Sequence, residues 1–95
     1  MLTLIARLKV NEAAVPRFLE AIGPLVAVTR AEAGCSFYEF QQSDDTPGLF
    51  FVWEKWADQA ALDQHMQTPH IKAFVAEFGD EFSEPPAMQF MTTVA

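Results

Sequence analysis

The segment Leu49-Phe50-Phe51-Val52-Trp53-Glu54-Lys55-Trp56 limits the possible folds of this chain more than any other. Its aromatic and β-branched residues, between Gly48 and Asp58, mark a strand. Successive strand side chains point to opposite faces. Leu49, Phe51 and Trp53 therefore share one face, and Phe50, Val52 and Trp56 the other. Both faces are apolar, yet a chain of 95 residues is near the size at which one core is just sufficient. Helices can cover only one face of its sheet. The other would be a larger apolar patch than a soluble monomer tolerates, so the pattern predicts a homodimer with two sheets packed face to face.

Composition narrows the partners. The net charge is −7 and the six basic residues are scattered, which argues against nucleic acid and anionic membranes. The single cysteine, Cys35, permits no intramolecular disulfide and no all-cysteine metal site. No apolar run approaches the ~20 residues of a membrane span. The start Met1-Leu2-Thr3-Leu4-Ile5-Ala6-Arg7 lacks the features of a signal peptide, so a cytoplasmic protein is expected.

The rest of the chain reads as one domain over residues 1–95. Leu2 to Val10 alternates as a half-buried strand. Asn11 is a candidate N-cap, and Val15, Phe18, Leu19, Ile22, Leu25, Val26 and Thr29 recur at helical spacing. Pro24, after Gly23, is expected to bend this helix, and Ala33-Gly34 to close it with glycine as C′ residue. Cys35–Gln42 is a second strand, and Ser43–Gly48 a turn leading into Leu49–Trp56. Asp58 caps a short helix through Met66, Thr68-Pro69 starts the next, and Ile71, Phe74, Val75 and Phe78 form its buried stripe. Glu84-Pro85-Pro86 ends it, and Ala87–Val94 is the last strand. The order strand, helix, strand, strand, helix pair, strand predicts an α+β fold of the ferredoxin-like split βαβ kind. Its four-stranded antiparallel sheet carries both helical layers on one face.

The series Glu32-Ala33-Gly34-Cys35-Ser36-Phe37-Tyr38, Phe51-Val52-Trp53-Glu54-Lys55-Trp56, Leu62, His65, Thr68-Pro69-His70 and Phe74 resembles the antibiotic biosynthesis monooxygenase domain, quinol monooxygenase type. The resemblance covers essentially the whole chain, and Glu-x-Trp followed by His-x4-His is its specific part. It implies a dimeric α+β barrel. It also implies oxygenation of a quinol, anthrone or related aromatic by O2, with no metal, flavin or haem cofactor. The same His…Thr-Pro-His segment resembles an isomerase acting on a phosphorylated sugar. Haem-degrading relatives carry an asparagine on the first strand; Leu2–Val10 has none.

Cofactor-free oxygenation needs a base, a hydrogen-bond donor and a water-poor pocket. Both histidines of the chain, His65 and His70, flank one helix break. The dipoles there favour imidazolium at His65 and the neutral ring at His70. The two are expected to line one pocket, with His70 as the base; capping of helix ends is the plainer alternative. Glu54 is expected to orient an imidazole, or else to pair with Arg7 or Arg30 or bond across a dimer interface. Trp56 is a candidate to stack on a planar substrate and Trp53 to do so from the other face, Tyr38 to donate to its oxygen, and Phe74 to wall the pocket, although each also suits a core or dimer seam. No metal is expected: five residues is off one helical face, and Glu54 or Asp63 would have to be the third ligand. Cys35 reads as a small buried hydrophobe and Asp80, Glu81 and Glu84 as solvated surface. The alternatives to an oxygenase are an isomerase of a small ketone, with a phosphate clamp from Arg7, Lys9, Arg30, Lys55 or Lys72, and a ligand-binding dimer without turnover.

Overall fold

The computed structural model describes residues 1–95. Strand β1 (Leu2–Lys9) leads through a 3-10 turn (Glu12–Ala14) into helix α1 (Val15–Arg30). The hairpin of β2 (Cys35–Gln42) and β3 (Leu49–Trp56) follows, then α2 (Gln59–Gln67), α3 (Pro69–Phe78), a second 3-10 turn (Gly79–Glu81) and β4 (Ala87–Met91). The sheet is antiparallel throughout, in the order β2-β3-β1-β4. This is the ferredoxin-like α+β arrangement that the element order predicts.

The pairing Leu4↔Glu54, Ala6↔Val52 and Leu8↔Phe50 puts one face of β1 and β3 under the helices. Phe18 of α1 is the hub of the core. Its ring lies 4.7 Å from Phe50, 5.2 Å from Phe78 and 5.4 Å from Phe74, centre to centre. One aromatic thus ties α1 to β3 and α3, with tilted and edge-on contacts that suit ring quadrupoles. On the opposite face Ile5, Leu49 and Phe51 are only partly covered, and Phe37 and Trp53 are 40% and 37% exposed. The second apolar face is there, and no helix covers it.

Local details depart from expectation at Asn11, Val75, the end of β4 and Gly34. Asn11 makes no side-chain cap, and it precedes the 3-10 turn rather than α1. Pro24 does not end helix α1, which runs on to Arg30; Leu25 and Thr29 beyond the proline are buried and hold it on the sheet. Val75 is half exposed, leaving Ile71, Phe74 and Phe78 as the buried stripe of α3. Strand β4 stops at Met91, where its pairing with β1 runs out at Thr3.

Gly34 is not the helix cap. The cap residue is Ala31, in ordinary helical geometry, and Gly48 alone has a positive φ. Glycine is required at 34 for space: an added Cβ would come within 2.3 Å of the Ala61 Cβ on α2. The Gly34 carbonyl also accepts from Ala57 N at 2.8 Å, so the strand start and the approach to α2 are locked together. Gly34→Ala should therefore push α2 outward and cost about 1–3 kcal/mol, as overpacking does. Urea denaturation measures this, and an unchanged midpoint would refute the close-packing argument.

Candidate active site

The site begins at the helix break. Asp58 caps α2, its carboxylate accepting from Ala61 N at 2.9 Å. Thr68 is extended, as the residue before a proline prefers, and so ends α2 and starts α3. Its hydroxyl donates to the His65 carbonyl at 2.7 Å and accepts from Ile71 N at 3.4 Å. The chain turns here, bringing His65 near the end of α2 and His70 in the first turn of α3 toward a common point.

That point is a carboxylate oxygen. Glu32 Oε2 lies 2.8 Å from His65 Nδ1 and 2.8 Å from His70 Nε2. Glu32 sits in the tight turn between α1 and β2, where its own N–H reaches the Thr29 carbonyl and its carbonyl accepts from Cys35 N. A carboxylate only accepts, so each facing ring nitrogen donates. His65 thereby carries its proton on Nδ1, which leaves Nε2 with the lone pair. Burial lowers the pKa of His65 below its usual value and outweighs the opposing pull of Glu32. The dipole argument for a charged His65 fails because the ring is almost fully buried. Its bond to Glu32 joins a neutral imidazole to a carboxylate.

The sheet supplies the other polar groups. Tyr38 and Glu54 are directly paired across β2 and β3, and both side chains are buried. Glu54 accepts from the Trp56 indole N–H at 2.9 Å. Desolvation pushes its pKa up to about 7, against the lowering effect of that hydrogen bond, and the charge of Glu32 adds to the rise. Burial first, and Glu54 next, hold the Tyr38 phenol above its ordinary value, so it stays a protonated donor. The Tyr38 ring meets the His65 ring edge-on at 5.5 Å, and Trp56 lies 4.6 Å from His65.

A cavity of about 170 Å³ opens between the sheet and the α2–α3 pair, lined by Tyr38, Val52, Glu54, His65, Ile71 and Phe74 among others. Three further hollows lie elsewhere, one of them, about 310 Å³, beside Arg30, Cys35 and Ser36. One of about 260 Å³ between α1 and α3 includes His70 and Phe74. The largest, about 520 Å³, spreads over the uncovered sheet face around Trp53, Phe37 and Lys55.

His65, Glu54, Tyr38 and Phe74 therefore meet at one cavity, while three expectations change. His70 shares Glu32 with His65 but faces the hollow on the other side of α3. Trp56 is fully buried behind Glu54 and His65, holding the carboxylate rather than offering a stacking surface. Trp53 lies on the opposite face of the sheet, where strand parity puts it, away from both histidines. Glu54 does not orient an imidazole or bind Arg7 or Arg30. Arg7 pairs with Glu84, and Arg30 donates to the Tyr38 carbonyl. The group that orients the imidazoles is Glu32, which no local pattern in the sequence marks for that role. Its separation of 33 and 38 residues from the histidines hides the contact. An acid in a tight turn, where solvent would suit it equally well, is the only local sign.

Neither Glu54 nor Asp63 stands as the third metal-capable group beside the two histidines. The helix break and Glu32 supply a different set: the donor atoms of Glu32, His65 and His70 all lie within 4.8 Å of one another.

The raised pKa of Glu54 has a consequence for stability. The folded protein holds this proton more tightly than the unfolded chain, whose carboxyl titrates near its ordinary 4.5. The associated stability is complete below pH 4.5 and is lost as pH rises through about 7. Glu54→Gln keeps the indole bond and removes this loss. Relative to the parent, the variant should gain on the order of 3 kcal/mol between pH 4.5 and pH 8. Chemical denaturation at both pH values checks it, and a pH-independent difference would show that Glu54 is not desolvated.

Comparison with known proteins follows the same lines. The family profile described as antibiotic biosynthesis monooxygenase matches residues 1–77. The Bacillus subtilis protein named "Putative monooxygenase YcnE" is 34% identical over 85 residues, covering 90% of each chain. A Synechocystis protein, sll1783, is 32% identical over 72% of this chain, which spans only 46% of that relative's length. A crystal structure described as an antibiotic biosynthesis monooxygenase superposes over all of both chains with a TM-score of 0.94 and 30% identity. With the family profile matching residues 1–77 and the fold superposing over the whole length, the chain belongs to the antibiotic biosynthesis monooxygenase family.

Proposed function

We propose that the protein oxidises a quinol, anthrone or related electron-rich aromatic with O2, without a cofactor, in the cavity between the sheet and the α2–α3 pair. The observation that carries this reading is the Glu32–His65 pair, which orients a neutral imidazole beside an apolar cavity that also holds Tyr38 and Glu54. His65 Nε2 takes the phenol or activated C–H proton, and the Tyr38 hydroxyl donates to the oxygen where charge develops. The resulting anion gives one electron to O2, and the radical pair joins as a peroxide. The peroxide then loses water as the proton returns, with Glu54 near neutrality able to assist. One oxygen atom enters the substrate and the other leaves as water, so a CH2 becomes a C=O and the substrate supplies all four electrons that reduce O2.

Cavity size favours small substrates. An apolar space of roughly 150 Å³ holds a benzene ring, so about 170 Å³ takes one ring of a quinol. Further rings would extend past Met66, Val75 and Met88 at its rim. No lysine or arginine lines this cavity, so nothing in it favours a phosphorylated isomerase substrate.

Oxygen uptake by the metal-stripped protein with hydroquinones, naphthoquinols and anthrones tests the reading. His65→Ala should lower the rate above autoxidation by at least ~100-fold, the usual contribution of a positioned base. Undiminished uptake would remove His65 from the mechanism, and no uptake with any substrate would refute the oxygenase.

We also propose that the uncovered sheet face is buried in a homodimer. Ile5, Phe37, Leu49, Phe51 and Trp53 make it apolar, and such patches mark association surfaces. Light scattering should give twice the chain mass for the parent, and close to the single mass for a Phe37→Glu, Trp53→Glu double variant. A parent that remains monomeric at tens of micromolar would refute the dimer.

A further inference from the structure

We infer that Glu32, His65 and His70 form a binding site for a divalent transition-metal ion of the zinc type, and that metal at this site reverses the tautomer of His65. Three donors come from three separate segments: the turn before β2, the end of α2 and the first turn of α3. Two are imidazole nitrogens and one is a carboxylate oxygen, the donor set that zinc and its neighbours prefer. The carboxylate oxygen is already 2.8 Å from each ring nitrogen. Tetrahedral ligation at about 2.0–2.2 Å places donor atoms roughly 3.3 Å apart. Glu32 Oε2 would therefore draw back by about half an ångström from each ring, while the two ring nitrogens, within 4.8 Å of each other, would close to the same spacing.

The surroundings suit such a site. The Thr68 hydroxyl pins the backbone between the two histidines through its bonds to the His65 carbonyl and the Ile71 N–H. Trp56 packs against the His65 ring and fixes its plane. His65 is buried, while Glu32 and His70 keep 15% and 21% of their side chains exposed, so an ion can enter from solvent and retain a water as fourth ligand.

Binding redistributes protons without gaining or losing any from neutral rings. With Glu32 as partner, each ring holds its proton on the nitrogen that faces the carboxylate. Metal takes those nitrogens, so the His65 proton moves from Nδ1 to Nε2 and the His70 proton from Nε2 to Nδ1. His65 then presents an N–H to the cavity in place of a lone pair. If His65 is the base proposed above, metal silences it; the binding and the tautomer change stand apart from that reading.

The test is calorimetric titration of the chelator-treated full chain with Zn2+, with the visible spectrum of bound Co2+ as a second measure. One equivalent per chain is expected, weakened at least 100-fold by His70→Ala and by Glu32→Gln. His70→Ala alters a partly exposed ring and leaves the Glu32–His65 bond, and a thermal melt checks its fold. Nitrogen-15 spectra of histidine-labelled protein have only two rings to resolve, and should show the His65 proton moving from Nδ1 to Nε2 when Zn2+ is added. Absence of binding, or binding that both variants leave unchanged, would overturn the site. Binding with the His65 proton still on Nδ1 would overturn its place in the ligand set. None of these measurements uses O2 turnover, so failure of the oxygenase reading remains distinguishable.

Discussion

One carboxylate oxygen organises this molecule's chemistry. Glu32 Oε2 holds His65 and His70 at equal distance, so the turn between α1 and β2, the end of α2 and the start of α3 meet at one atom. Their spacing depends on the apolar core beneath, where Phe18 ties α1 to the sheet and to α3. Without the carboxylate the two rings would have no fixed tautomer. Without the core the carboxylate would have no fixed position.

Burial then decides electrostatics that local arguments assign the other way. His65 sits at a helix C-terminus, which favours a charged ring by typically 0.3–1 kcal/mol, but desolvation is the larger effect and leaves it neutral. Glu54 would be an ordinary ionised carboxylate on a half-exposed strand. Under the helices it is raised to about 7 with one indole N–H for company. Tyr38 is kept a donor by the same two neighbours, burial and Glu54. The cavity thus gathers an imidazole, a phenol and a carboxyl, each shifted toward its neutral form by the same desolvation.

The two faces of the sheet have different roles. The helix-covered face carries the core and the cavity, because β1 and β3 alternate in register and put Leu4, Val52, Phe50 and Glu54 on one side. The uncovered face holds Trp53, Phe37 and the largest hollow, with no histidine near it. An indole on a strand could serve either side, and parity along β3 alone decides it: Trp56 falls with Glu54, Trp53 against it.

Strand parity, the Thr68-Pro69 helix start, the element order and the second apolar face were all legible in the sequence. Each depends on neighbours a few residues apart, or on the strict two-residue period of a strand. His65, Tyr38 and Phe74 stand out there only as pocket candidates that suit a core, a helix cap or a dimer seam equally well. What only the tertiary structure decided is which groups touch across distance. Glu32 reaches both histidines over more than thirty residues, Gly34 is required by Ala61 of α2 rather than by a helix end, and His70 turns away from the cavity that His65 lines. No periodicity encodes these contacts, because they arise when separate segments are pressed onto one sheet and their polar groups must find partners there.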